Sequence, residues 1–179
     1  MESPMPTMTA TETREALLVA ARWFFCDAMS LGYAFGAKAT PIPGRPNGKY
    51  YEHANNLWYL RDEYEVDPIT KKSAGFTFIE YDQRRIWVMA YGGFYKQEAI
   101  PCLKAALMAN YTRGDFYAGR GRDGYKHGEC LYLVAAGLNE QFGFDRFFAR
   151  ERIFRAMEKD GVEVPELLGG HDVWGMALI

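Results

Sequence analysis

The chain has 179 residues, of which 49% are hydrophobic and 16% aromatic, and its formal net charge is −2. A disordered chain has few aromatic residues and a high net charge, so this composition excludes disorder over most of the length. The small net charge gives no overall attraction to nucleic acid or to anionic lipid. A chain of this length suits one domain with a hydrophobic core that needs no disulfide or metal.

The N-terminal part of the chain predicts a tail, a helix and a loop, in that order. Residues 1–9 lack hydrophobic periodicity and are expected to form a flexible tail. A helix should follow, capped by Thr9 or Thr11, because apolar residues recur at three- and four-residue steps until Gly32. The Pro- and Gly-rich stretch 35–47 predicts an extended surface loop.

Strand patterns and a second helix occupy the middle of the chain. Residues 50–64 are typical of a strand or hairpin, and 75–91 of a hairpin that Gly92-Gly93 should end. The second helix is predicted over 95–111, with Pro101 in its first turn.

The C-terminal part predicts a loop and three further strands. The loop covers 114–128 and is rich in Gly, Arg and Tyr. The segment 156–171, with Pro165 and two glycines, is expected to be an exposed excursion between strands. The strand-like segments are 129–134, 144–155 and 172–179.

Two segments share a pattern, Phe-x-(small or apolar)-x-Glu followed by apolar-Trp-x-Met-Ala. The pattern starts at Phe76 and again at Phe147. It favours duplication of a β-rich unit, over about 50–93 and 129–179. The predicted fold is therefore an α+β domain over 10–179, with the order helix, three strands, helix, three strands. Its antiparallel sheet would be covered by two helices.

The cysteine pattern and the hydrophobic runs bear on localisation. Cys26, Cys102 and Cys130 are odd in number and far apart, which favours free thiols in a reducing cytoplasm. No signal-peptide pattern is present, and no apolar run reaches the 18 or so residues that a spanning helix needs, at about 1.5 Å per residue. We therefore predict a cytoplasmic protein without a membrane partner.

Residues 119–124 formally satisfy the GxGxxG pattern. A dinucleotide site needs a strand before this motif and a helix after it, whereas here the predicted order is the reverse. Arg120 and Arg122 could instead bind a phosphate or carboxylate, unless the loop is simply solvated. If they bind an anion, replacing both by Ala should weaken binding and leave the fold intact.

Glu80 and Glu151 occupy equivalent places in the repeated pattern. They could approach each other and share a proton, as acid–base pairs do, or each could pair with a nearby arginine. The three histidines have no metal spacing, and no Ser or Cys stands in a nucleophile elbow. The sequence therefore predicts no metal and no cofactor, and Glu80 and Glu151 are its catalytic candidates.

Several short motifs together resemble a known family. They are Tyr33-Ala34, Arg45-Pro46, the strand residues Tyr59, Asp62 and Tyr64, the strand residues Trp87, Met89 and Tyr91, and the loop residues Tyr117, Gly119 and Gly121. They resemble a bacterial domain of unknown function that occurs alone or C-terminal to Xre-type helix-turn-helix modules. Phe78 and Ala149 stand where that family has Gly, and Ala90 replaces its usual Asn. This chain has no helix-turn-helix, so the resemblance implies a sensing or interaction role and no direct nucleic-acid binding.

The leading functional hypothesis is a non-enzymatic domain that binds a small ligand, anionic ligands included, or a protein partner. The expected cleft residues are Tyr64, Tyr91, Tyr117, Arg45, Arg120 and Arg122. Two alternatives stay open: a hydrolase with a paired-carboxylate site, and a phage or mobile-element inhibitor that acts by protein contact. A homodimer is also an option.

Overall fold

The computed structural model describes residues 10–118, 120–136, 143–159 and 161–179. Within these ranges the chain forms two α-helices and nine β-strands. A short 3₁₀ turn, Gln97–Ala99, leads into the second helix. In chain order the elements are α1 (Ala10–Leu31), β1 (Thr40–Pro41), β2 (Gly48–Asn55), β3 (Trp58–Val66), β4 (Lys72–Tyr81), β5 (Arg84–Tyr95), α2 (Ile100–Tyr111), β6 (Tyr125–His127), β7 (Cys130–Ala136), β8 (Arg146–Lys159) and β9 (Val162–Ala177).

All nine strands belong to one antiparallel sheet, in the order β1-β2-β3-β4-β5-β9-β8-β7-β6. Strands β1 to β5 therefore form one half of the sheet and β6 to β9 the other half, and the two halves meet at the sheet centre, where β5 pairs with β9. In this pairing Trp87 lies opposite Ala177 and Tyr95 lies opposite Gly169. The β5–β9 pairing is the step that joins the N-terminal strands to the C-terminal strands.

The turn between β4 and β5 follows from its two central residues. Asp82 and Gln83 both have positive φ, 48° and 64°. Two left-handed residues in a two-residue connection make the type I′ turn, whose twist matches that of the flanking strands. This turn sets Tyr81 opposite Arg84, and a register shift between Ile79 and Glu80 moves the rest of the β4–β5 pairing by one residue.

The core lies on one face of the sheet, around Trp87. Its indole stacks on Phe144 at 4.7 Å, and its Nε1 donates a hydrogen bond of 2.8 Å to the Phe144 carbonyl oxygen. Phe25 of α1 packs against Trp87 at 5.1 Å and against Tyr111 of α2 at 5.9 Å. Both helices thus share one core with the sheet. The opposite sheet face leaves Phe76, Trp174 and Met176 exposed.

The predicted order of helix, three strands, helix, three strands is wrong. Five strands precede α2 and four follow it, and they form one large sheet rather than two helix–strand repeats. Gly92-Gly93 does not end a strand, because β5 continues to Tyr95. Two consecutive glycines are typical of a strand end. In this strand, however, Gly93 is required because a side chain there would collide with β9.

The segment 156–171 is also different from the prediction of an exposed excursion. It extends the β8–β9 hairpin, with Ala156 opposite Pro165 and Glu158 opposite Glu163. The β5 pairing of β9 ends at Gly169, so Pro165 lies where the other edge of β9 is unpaired. Proline has no N–H to donate. At Pro165 the backbone nitrogen can face this unpaired edge, so no hydrogen bond of the sheet is lost.

Several helices and strands predicted from local sequence patterns are confirmed. The first helix ends before Gly32, the 75–91 hairpin is present, and Pro101 lies in the first turn of α2. Residues 1–9, with the Thr9 cap, lie outside the described residues. In the described part of the chain, neither helix is long and apolar enough to cross a membrane.

Candidate functional site

A cavity of about 160 Å³ lies between the two helices and the core face of the sheet. One part of its wall is apolar, and the other part carries polar side chains. The apolar lining is Met29, Ala34, Val66, Ile100, Leu103 and Leu107. The polar lining is Tyr33, Asp62, Tyr64, Lys71, Ser73, Tyr91, Tyr95, Gln97, Tyr111, Arg120 and His171.

Two glycines give the polar side chains of neighbouring strands room on this face. Gly75 lies opposite Tyr91, and a Cβ at Gly75 would overlap the Tyr91 ring. Gly93 lies between Ser73 of β4 and His171 of β9, and its Cβ would lie 2.8 Å from His171 Cδ2. Because Gly93 has no side chain, Ser73 and His171 can meet across β5.

Glu151 of β8 is fully buried at the centre of a hydrogen-bond network. Arg120 binds it through two nitrogens, Nη2 to Oε1 at 2.9 Å and Nε to Oε2 at 3.2 Å. The hydroxyls of Tyr95 and Tyr132 also donate to it. Burial alone would raise the pKa of Glu151, but the Arg120 charge and these hydrogen bonds outweigh burial and hold the pKa below its usual value. Glu151 is therefore ionised.

His171 connects Glu151 to Ser73. Its Nε2 lies 2.8 Å from Ser73 Oγ, and its Nδ1 lies 3.6 Å from Glu151 Oε1. Since Nδ1 faces a carboxylate, we assign the ring proton to Nδ1, and the Ser73 hydroxyl then donates to Nε2. Burial, reinforced by Arg120, lowers the pKa of His171 to about 3. The imidazole is neutral at physiological pH.

Asp62 of β3 is a second buried carboxyl, 4% exposed. Its Oδ1 accepts hydrogen bonds from Thr77 Oγ1 at 2.7 Å and from the Tyr91 hydroxyl at 2.8 Å. Burial raises the pKa of Asp62, and these two hydrogen bonds and the Arg120 charge offset only part of that rise.

The structure brings together several of the residues that the sequence singled out. Arg120, Tyr64 and Tyr91 line the cavity, and Glu151 lies directly behind Arg120. Tyr117 forms a backbone bridge with Arg120. The loop that was expected to present Arg120 to solvent instead buries it.

The other expected site residues lie elsewhere. Arg45 is exposed and pairs with Glu63 at 3.5 Å and with Glu65 at 3.7 Å. Arg122 is also exposed and contributes its backbone N–H to the Ala106 carbonyl.

The two catalytic candidates are not neighbours. Glu80 pairs with Arg85 at 3.2 Å on the sheet face opposite the cavity, because it follows buried Ile79 in an alternating strand. Glu151 points into the core from the other face. The structure therefore does not form the expected carboxylate pair.

Sequence reasoning missed Ser73 and Tyr95 as site residues, and it did not connect Tyr132 or His171 with Glu151. A usable signal was the strand alternation itself, which places Asp62 in phase with Leu60, and Glu151 in phase with Ile153. A charged residue at an inward position of a strand must find a buried partner, so it indicates a network or a site.

The contacts Ser73–His171–Glu151 follow the order nucleophile, base and acid. An effective base, however, has a pKa near the working pH. Arg120 neutralises Glu151 and helps to keep the His171 pKa at about 3, so the imidazole is a poor proton acceptor here.

Within the described residues, no three His, Cys, Asp or Glu side chains converge in a way that could hold a metal ion. Comparisons of the chain with protein-family models, with curated proteins and with solved structures find no match.

Proposed function

We propose that this protein binds a small molecule in the cavity between its helices and its sheet, and that it acts as a binding protein rather than as an enzyme. The proposal rests on the cavity, which combines an apolar wall with a few buried polar groups held in place by hydrogen bonds. Apolar pockets with a few fixed polar groups are the usual form of small-molecule sites.

The cost of the buried network supports this proposal. Arg120, Glu151 and Asp62 are buried, and charges taken out of water cost several kcal/mol each before pairing, by an order-of-magnitude estimate. Apolar side chains of similar volume would stabilise such a core at least as well. This network lowers the stability of the fold and lines a cavity. Ligand recognition accounts for both features, whereas a purely structural role does not.

The test is to block the cavity without disturbing the core. Val66 lines the cavity at the end of β3 and is 39% exposed, so Val66→Trp should fill the cavity entrance. The matched control is Val162→Trp at the tip of the β8–β9 hairpin, where Val162 is 61% exposed. A small-molecule library is screened by ligand-observed NMR against all three proteins.

We expect compounds that bind the wild type and Val162→Trp, and that lose binding to Val66→Trp. The proposal fails if no compound binds the wild type, or if the compounds that bind do so equally well to Val66→Trp. The circular dichroism spectrum checks that both variants are folded.

A second candidate function is acyl hydrolysis, favoured by the 2.8 Å contact between Ser73 Oγ and His171 Nε2. Ser73 Oγ would attack an ester carbonyl while its proton passes to His171 Nε2. The ester C–O bond then breaks, the alcohol leaves with that proton, and water hydrolyses the acyl-serine to release the acid and restore the hydroxyl. A fluorophosphonate probe distinguishes the two functions. Labelling that disappears in Ser73→Ala would establish the hydrolase, and absence of labelling in the wild type would leave ligand binding alone.

A further inference from the structure

We infer that the ligand carries a protonated amine, which Asp62 binds at the polar end of the cavity while aliphatic carbons fill the apolar end. This inference rests on the proposed function and adds the chemical class of the ligand. It reverses the expectation that an arginine in this region would select an anion.

The balance of buried charge is the first argument. Among the described residues that line the cavity or lie directly behind it, two buried carboxylates, Asp62 and Glu151, face one buried guanidinium, that of Arg120. Arg120 uses two nitrogens on Glu151, so its charge is already matched. His171 is neutral. An ionised Asp62 is therefore the uncompensated charge, and it calls for a cation.

The hydrogen bonds of Asp62 leave one oxygen for a ligand. Thr77 and Tyr91 both donate to Oδ1. Within the described part of the chain Oδ2 accepts no hydrogen bond, and Asp62 lines the cavity. An ammonium group at Oδ2 would form the charge-assisted hydrogen bond that stabilises a buried carboxylate.

Aromatic rings beside Asp62 suit a cation as well. Tyr33 and Tyr64 line the cavity with their ring centroids 6.3 Å apart and their planes at 70°. The faces of such rings attract cations electrostatically, and the Tyr33 ring already has the Lys104 ammonium 4.7 Å from its centroid. The Tyr91 ring likewise has the Arg120 guanidinium 5.0 Å from its centroid, so cation–π contacts already occur at this wall.

Among the described residues that line the cavity, the remaining cation is Lys71. Its Nζ is exposed and donates to the Pro68 carbonyl oxygen at 2.7 Å. Solvent and salt screen an exposed ammonium far more than a buried carboxylate, so Lys71 does not cancel the effect of Asp62.

The probes are three six-carbon compounds that differ only in their polar end: hexylamine, hexanol and sodium hexanoate. A hexyl compound of seven or eight non-hydrogen atoms matches a cavity of about 160 Å³ at roughly 20–30 Å³ per atom. Dissociation constants are measured by titration NMR at pH 7. We expect hexylammonium to bind at least tenfold more tightly than hexanol, and hexanoate to bind most weakly.

Asp62→Asn removes the charge and keeps the shape, and Asp172→Asn on the exposed sheet face is the matched control. Asp62→Asn should weaken hexylamine at least tenfold and leave hexanol within twofold, while Asp172→Asn changes neither. If Asp62→Asn does not fold, the wild type is titrated towards acid within the range where its circular dichroism is constant. Protonation of Asp62 should then weaken hexylamine and not hexanol.

The outcomes separate this inference from the proposed function. If hexanol or hexanoate binds as tightly as hexylamine, and Val66→Trp abolishes binding, the cavity is a ligand site but the amine assignment is overturned. If Asp62→Asn or acid leaves hexylamine binding unchanged, the assignment is also overturned. If the library contains binders that Val66→Trp excludes but no hexyl compound binds, the inference fails and the proposed function stands.

Discussion

At the residue scale, the buried charge of Asp62 favours the binding of a cationic ligand and lowers the stability of the folded protein. Its pKa is raised in the folded protein, so the folded state binds its proton more tightly than the unfolded state does. The cost of ionised Asp62 is absent below its unfolded pKa and grows as pH rises from the unfolded pKa to the folded pKa. It is fully present above that value.

We therefore expect Asp62→Asn to raise the melting temperature at neutral pH by about 2–4 °C for each kcal/mol relieved. Thermal unfolding followed by circular dichroism measures the change. Asp172→Asn should stay within about 0.5 kcal/mol of the wild type, because Asp172 is half exposed. A melting temperature lowered by Asp62→Asn would contradict this account.

His171 makes stability depend on acid in the opposite sense. Its folded pKa is about 3, against 6.5 for an ordinary histidine, so between these values the unfolded chain binds one more proton. The stability of the wild type should fall as pH drops from 6.5 towards 3, by at most about 1.4 kcal/mol per pH unit. The charged groups that act on the ring are Arg120, Glu151, Arg152 and Asp172.

His171→Phe keeps a ring against Tyr91 and Tyr95 but cannot titrate. The difference in unfolding free energy between wild type and His171→Phe should shift with this slope over pH 3–6.5. Urea unfolding at several pH values measures it. Parallel pH profiles for the two proteins would show that His171 is not buried as a neutral group.

The Arg120–Glu151 pair corrects the expectation that Arg120→Ala leaves the fold intact. That substitution leaves an ionised, fully buried Glu151 without its partner, which costs about 3–5 kcal/mol. Arg122→Ala, at an exposed position two residues away, should change stability by less than about 0.5 kcal/mol. Equal stabilities of the two variants in urea would refute the buried pair.

At the element scale, the two adjacent glycines of β5 have different roles. Ala at Gly93 would overlap the Gly170 carbonyl oxygen and force β5 away from β9, whereas the nearest atom to a Cβ at Gly92 is 3.5 Å away. Gly93→Ala should cost more than about 3 kcal/mol, and Gly92→Ala should stay within about 1 kcal/mol of the wild type. Urea unfolding measures both, and similar values would exclude the close β5–β9 contact.

At the scale of the whole molecule, one core joins both helices to both halves of the sheet. Trp87 contacts Phe25 of α1 and packs with Phe144 and Phe147 near the start of β8. Such a core should unfold in one cooperative step. Tryptophan fluorescence and far-UV circular dichroism should therefore give coincident urea transitions. Two separated transitions would show that the two halves of the sheet unfold independently.

Part of the candidate site could be predicted from the sequence. Arg120, Tyr64 and Tyr91 were expected to bind a ligand, and all three line the cavity. That they bind one stays a prediction, as do a protein partner, a homodimer and the resemblance to the family of unknown function. The contact between Ser73 and His171 was not predicted, because no local pattern links two residues that are 98 positions apart.

The sequence by itself determined the local elements: the first helix up to Gly32, the 75–91 hairpin, and a helix with Pro101 in its first turn. These depend on periodicity, turn residues and proline geometry, which act over a few residues. Only the tertiary structure decided that β5 pairs with β9, that Arg120 pairs with Glu151, and that Glu80 faces away from the cavity. Strand alternation indicates which side chains share a face of the sheet. Which strands become neighbours depends on long-range packing, and no short sequence pattern predicts that.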